Sequence, residues 1–200
     1  MNRRDAIKNI GLSLGYAAAA PTALGILQSC STHVTSWTPQ FLTTDQGQLI
    51  MNLVDLILPK TTDAPSASEV NIPEFIDLLA LKTFEPQKQK KFKEQLQTVI
   101  EELTLNEKNT AELKDIAVEK YDALLTKYLK STEAEQKKFN KDEKTVFNTL
   151  KDLRSKAVWA YKTSEYVGEN ILAYNPIPGG YKSCIDLNEA TAGKAWSLQS

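Results

Sequence analysis

Histidine is nearly absent: His33 is the single one among 200 residues, and cysteine occurs only at Cys30 and Cys184. A di-iron centre inside a helical bundle takes its imidazoles from Glu-x-x-His pairs on two helices, so one histidine excludes it. A serine or cysteine hydrolase needs a histidine base held by a carboxylate, and that constellation fails for the same reason. The sequence also lacks Gly-x-Gly-x-x-Gly and Gly-Lys-Ser/Thr, the loops that cradle dinucleotides and nucleotides, and Cys-x-x-Cys-His, the haem attachment site. Charge of one sign is missing too. With 24 basic against 25 acidic residues the net charge is -1, which is the wrong field for a polyphosphate, so nucleic acid is no partner.

Carboxylates are what remains for chemistry. Asp55, Asp63, Glu69, Glu74 and Asp77 cluster around one loop and could in principle exchange protons with a substrate. Helix ends and turns favour acidic residues for capping and dipole reasons, so the cluster is read as structural. No catalytic residue, metal ligand or cofactor of its own is expected in this chain.

The composition, 42% hydrophobic and 24% charged, is that of an ordinary globular chain. Residues 30–200 are long enough to bury a single core without disulfide staples.

The first thirty residues have a different character. Asn2-Arg3-Arg4-Asp5-Ala6-Ile7-Lys8 resembles the twin-arginine export motif, with Ala6 where a Phe is usual, and an uncharged Ala- and Gly-rich segment runs from Ile10 to Gln28. Leu27-Gln28-Ser29-Cys30 has the form of a lipobox, which makes Cys30 the expected site of lipid attachment. Pro21 interrupts the apolar segment, so a signal peptide fits better than a membrane-spanning anchor. The domains expected are therefore a signal peptide over 1–29, a lipidated tether over 30–43 and a helical domain over 44–200, in a lipoprotein of the periplasm. Because the twin-arginine route moves folded proteins, often with a cofactor inserted, the folded cargo is expected to include a partner.

The periodicity of the remaining chain is helical. Thr44-Asp45 can cap a helix bearing Leu49, Ile50, Leu53, Val54 and Ile57, which Pro59 stops. Asn71, Pro73 and Glu74 begin a second, running to about Phe84, and Pro86 opens a third with Phe92, Leu96, Val99, Ile100 and Leu103 on one face. Asn109 and Glu112 form a capping pair for a fourth, which carries Leu113, Ile116, Tyr121, Leu124, Leu125 and Tyr128. Ser131 and Thr132 mark a break. From about Lys141, the stripe Val146, Phe147, Leu150, Leu153, Ala157, Val158 and Tyr161 is the longest in the chain and must pack on the first helices. No alternating apolar pattern accompanies a hairpin signal, so the fold class is all-α, a single bundle of about five to six helices.

The close of the chain is irregular. Tyr174 to Cys184 contains two prolines and two glycines, while Tyr174, Ile177 and Tyr181 supply apolar surface for the domain's own core or for a partner. If Cys30 carries lipid, Cys184 has no disulfide partner in its own chain. It is then either buried as a small apolar group or exposed for pairing between chains, and its place in a Pro/Gly loop favours the second.

Two segments resemble one family. Leu56-Ile57-Leu58-Pro59, Asp63-Ala64-Pro65-Ser66-Ala67-Ser68-Glu69 and Ile72-Pro73-Glu74-Phe75-Ile76-Asp77, together with Tyr174 to Tyr181 and Cys184, are similar to the signature of the gluconate 2-dehydrogenase subunit 3 family. That family is the small subunit of membrane-bound flavin dehydrogenase complexes. The resemblance implies a non-catalytic subunit that binds a large FAD-containing oxidoreductase of the glucose-methanol-choline type, with electrons passing on to the haem of a cytochrome c subunit. It further implies that the small subunit carries its partner through the twin-arginine pore and that lipid on Cys30 holds the complex at a membrane.

Phe75, Tyr174, Ile177, Tyr181 and Cys184 are the candidate contacts with that partner, since Pro-fixed loops present side chains at little entropic cost. Core packing explains the aromatic ones equally well. Two other readings stand beside this one, a stand-alone helical envelope lipoprotein that binds a glycan or another envelope protein, and an enzyme that uses carboxylates alone.

Overall fold

In a computed structural model the described residues are 37–105, 113, 116–175, 179 and 184–197. The chain divides into Met1–Trp37 and Thr38–Ser200, and the fold is that of the second unit. Helix α1 is Thr44–Ile57, α2 Ile72–Thr83, α3 Pro86–Thr104, α4 Val118–Leu129, α5 Glu133–Gln136, α6 Lys141–Thr163 and α7 Leu187–Thr191. A 3-10 turn, Ser68–Val70, precedes α2, and one π-helical turn, Val167–Ile171, follows α6. The all-α class is as the sequence implies. Among the described residues no strand occurs, and the backbone bridge between Ala173 and Trp196 is isolated.

Local chemistry sets the helix ends. The cap of α1 is Thr43, not Thr44-Asp45, because its hydroxyl accepts from Gln46 N at 3.2 Å while the Gln46 side chain accepts from Thr43 N at 3.2 Å in a capping box, which leaves Thr44 and Asp45 inside the first turn. Pro59 follows two residues after the last turn, where the helix cannot continue. Proline stands in the first turn of both α2 and α3, where its missing N–H costs nothing. Asn140 and Glu143 close a second capping box at α6.

Packing then follows from the apolar stripes. Leu49, Ile50, Leu53 and Val54 of α1 are fully buried, and burial of each such side chain stabilises the fold by roughly 1.5–3 kcal/mol. Helix α6 packs against α1, α2, α3 and α4, as its long stripe requires, with Val146, Leu150, Leu153 and Ala157 inside.

Two elements differ from the sequence reading. The fourth helix starts at Val118, and the expected cap at Asn109 and Glu112 lies outside the described residues. Leu113 and Ile116 are nevertheless buried, and the Tyr121 hydroxyl donates to the Leu113 carbonyl at 3.1 Å. Leu113 is in 3-10 conformation and Ile116 N donates to its carbonyl at 3.3 Å, so a near-helical spacing runs ahead of the start of the α-helix. At the other end of the unit, Gln40 to Leu42 falls in the stretch expected as tether, yet it is part of the fold. Its amides donate to the buried Asp77 carboxylate, Gln40 N at 2.7 Å and Leu42 N at 2.8 Å.

Candidate functional site

The loop between α1 and α2 is built as a rigid object. Ala67 N donates to the Leu58 carbonyl at 3.1 Å and closes the loop at its base, while Thr61 N donates to the Ala64 carbonyl at 2.9 Å and Ala64 N to the Thr61 hydroxyl at 3.0 Å. Glu69 accepts from Ser66 N at 2.9 Å and pairs with Lys60 across the loop. The Lys60 ammonium, with the Ser66 amide, holds the Glu69 carboxyl below the usual carboxylate range. Asp55 reaches up from α1 to accept from Ser68 N at 2.8 Å and from its hydroxyl at 2.5 Å. From the far side, the Tyr161 hydroxyl of α6 donates to the Pro65 carbonyl at 2.7 Å, and burial together with the nearby Glu69 charge raises the Tyr161 pKa.

The acidic cluster of the sequence is thus largely accounted for. Asp55, Glu69 and Asp77 hold backbone amides, and Glu74 sits in the first turn of α2. Among the described residues no group of three or more His, Cys, Asp or Glu side chains could hold a metal ion.

The loop borders a continuous surface that runs past the C-terminal end of α6. At one edge the Phe75 and Trp159 rings pack tilted at 52° with centroids 5.6 Å apart, 39% and 51% exposed. One helical turn before Phe75, Asn71 lines a hollow of about 320 Å³ with Pro65, Ser164 and Tyr166. Tyr166 stands 53% exposed between that hollow and another of about 320 Å³ against Lys60–Pro65. Ser164 and Glu165 also line a third, of about 240 Å³, whose other wall holds Tyr174 and Ser197. The first loop and the closing segment therefore meet on either side of Ser164–Tyr166.

Of the residues singled out in the sequence, Phe75 and Tyr174 are both exposed and lie at two ends of this surface. Cys184 is exposed and is a free thiol among the described residues. Arg3, Arg4, Cys30, Ile177 and Tyr181 lie outside the described residues. Trp159, Tyr166 and Trp196 are the surface aromatics that sequence reasoning passed over. The signal for Trp159 was its position: it is two residues from the buried Ala157, so it projects away from the apolar stripe of α6.

Among the described residues no helix is long and apolar enough to cross a membrane. Neither the curated proteins nor the solved structures gave a match. The sequence profile described as gluconate 2-dehydrogenase subunit 3 matches residues 44–179, more than half of the chain, and this span takes in the whole first loop, α6 and Tyr174. The chain belongs to the gluconate 2-dehydrogenase subunit 3 family.

Proposed function

We propose that this chain is a non-catalytic accessory subunit of an FAD-dependent sugar or alcohol dehydrogenase, that it escorts the flavoprotein through the twin-arginine pore, and that lipid on Cys30 anchors the complex to a membrane. The family match over residues 44–179 carries the accessory role, since the family is named for a third subunit of a dehydrogenase. The side chains agree with it. The acidic residues of the first loop are engaged in holding backbone, and the surface beside them is aromatic, which suits binding better than proton transfer.

The escort and anchor roles draw on Arg3-Arg4 and on Leu27-Gln28-Ser29-Cys30. An export signal of the folded-protein route is hard to explain for a helical domain that needs no cofactor, unless a cofactor-loaded partner travels with it. The flavin is then held by the large subunit, and a cytochrome c subunit is the onward electron acceptor. A single lipid chain gives only marginal membrane binding, so the lipoprotein's several acyl chains are what would make the anchor lasting.

Affinity purification from the solubilised native membrane tests this reading. A flavoprotein with dehydrogenase activity in the eluate supports it, and a lone chain without flavin absorbance contradicts it.

A further inference from the structure

We infer that the face formed by Phe75, Trp159, Tyr166 and Tyr174 with the first loop is where the flavoprotein subunit docks. This rests on the reading of the chain as a dehydrogenase subunit and adds the surface and residues by which it would bind. Four of the five exposed aromatic side chains among the described residues fall here, and the fifth, Trp196, is next in sequence to Ser197, which lines the third hollow with Tyr174. The remaining exposed large hydrophobics, Leu105, Val118, Ile185 and Leu187, are aliphatic. Aromatic side chains carry about 150–250 Å² each, so four that are roughly half exposed offer on the order of 300–400 Å². A standard interface takes about 800 Å² from each partner, and the loop surface between the rings supplies the rest.

Three features favour a protein as the occupant. The first loop is locked by Tyr161, Asp55 and the Lys60–Glu69 pair, so little ordering entropy is lost on docking. Tryptophan and tyrosine are the side chains that most often dominate protein interfaces. Asp63, Glu69, Glu165 and Glu169 line the hollows against Lys60 and Lys162, a net negative lining that an anionic lipid surface would repel. Phe75, Trp159, Tyr166 and Tyr174 also lie within the span that matches the dehydrogenase-subunit family.

The test uses the full chain, tagged and purified from its membrane, with flavin absorbance and dehydrogenase activity measured in the eluate. Trp159→Ala and Tyr166→Ala are compared with Leu105→Ala and Val118→Ala, exposed substitutions elsewhere. All four sites are more than half exposed, so the thermal unfolding of each variant should match the parent. The expected result is a loss of retained flavoprotein of about thirtyfold for Trp159→Ala or Tyr166→Ala, with no change in the two comparison variants. Undiminished retention in both Trp159→Ala and Tyr166→Ala overturns this docking face and leaves the subunit role standing. A parent chain that retains no flavoprotein overturns the subunit role and the docking face together.

Discussion

The Tyr161 hydroxyl donates to the Pro65 carbonyl at 2.7 Å, across 96 residues of sequence, and so fastens the loop after α1 to the last turn of α6. Two elements distant in the chain become one surface through this bond. Tyr161 is half-buried and packs on the core, so its ring and its hydroxyl serve different ends.

Tyr161→Phe separates those two contributions. The ring stays, the bond goes, and stability should fall by about 1 kcal/mol. The larger effect is local: amide exchange across residues 61–66 should quicken, while exchange in the middle of α6 stays unchanged. Hydrogen exchange read by mass spectrometry checks both, and an unaltered loop would show that the bond does not hold it.

Asp77 should be costlier to lose. Its carboxylate is fully buried and takes the amides of Gln40, Phe41 and Leu42. Gln40 can turn to water, but the Leu42 bond is buried, so Asp77→Ala leaves a donor unpaired in the interior. We predict a loss of about 3 kcal/mol, or a Tm lower by roughly 6–12 °C for a chain of this size. Calorimetry of parent and variant gives the number.

The pH dependence has its own centre in Glu102, Lys127 and Tyr128. Lys127 Nζ and the Tyr128 hydroxyl both donate to Glu102 Oε1, at 2.7 and 2.8 Å. Burial pushes the Glu102 carboxyl up, but these two hydrogen bonds outweigh it and leave the group below its ordinary 4.5. A depressed folded pKa gives stability that is present above 4.5 and lost as pH falls further. Burial pushes the Tyr128 phenol up to about 12, with the Glu102 bond adding to it, and that contribution is present below 10 and lost as pH rises towards 12. Lys127 is raised as well, its bonds to Glu102 and Tyr128 outweighing burial, so it too weakens the fold in strong alkali. Glu102→Gln should therefore flatten the acid limb of a urea-midpoint profile. Its cost at neutral pH should be about 0.5–1 kcal/mol, because Lys127 is half exposed.

Export supplies a prediction outside the fold. Replacing Arg3 and Arg4 with lysine should leave this chain in the cytoplasm together with its flavoprotein. Cell fractionation with a flavin assay checks it, and a flavoprotein that still reaches the envelope contradicts the escort role.

The sequence was most readable where one residue type has one use. Pro59 and Pro86 marked a helix end and a helix start within a residue or two, because proline can occupy few backbone positions. The stripe from Val146 to Tyr161 identified α6 since nothing else in the chain has that length of period. Leu113 and Ile116 misled, because a buried 3-10 turn keeps nearly helical spacing without belonging to the α-helix that follows. Asp77 was legible as structural but not as the anchor of Gln40 to Leu42, since that pairing spans more than thirty residues and leaves no local pattern. The surface was half legible: Phe75 and Tyr174 lie in segments that resemble the family signature, whereas Trp159 and Tyr166 became candidates only once the loop, α6 and the closing segment were seen to meet.

Sugar-dependent dye reduction, measured separately on the purified complex and on this chain freed of its partner, distinguishes an accessory subunit from an enzyme. Activity should follow the flavin, and the freed chain should have none. Turnover of a sugar by the chain alone would contradict the accessory role.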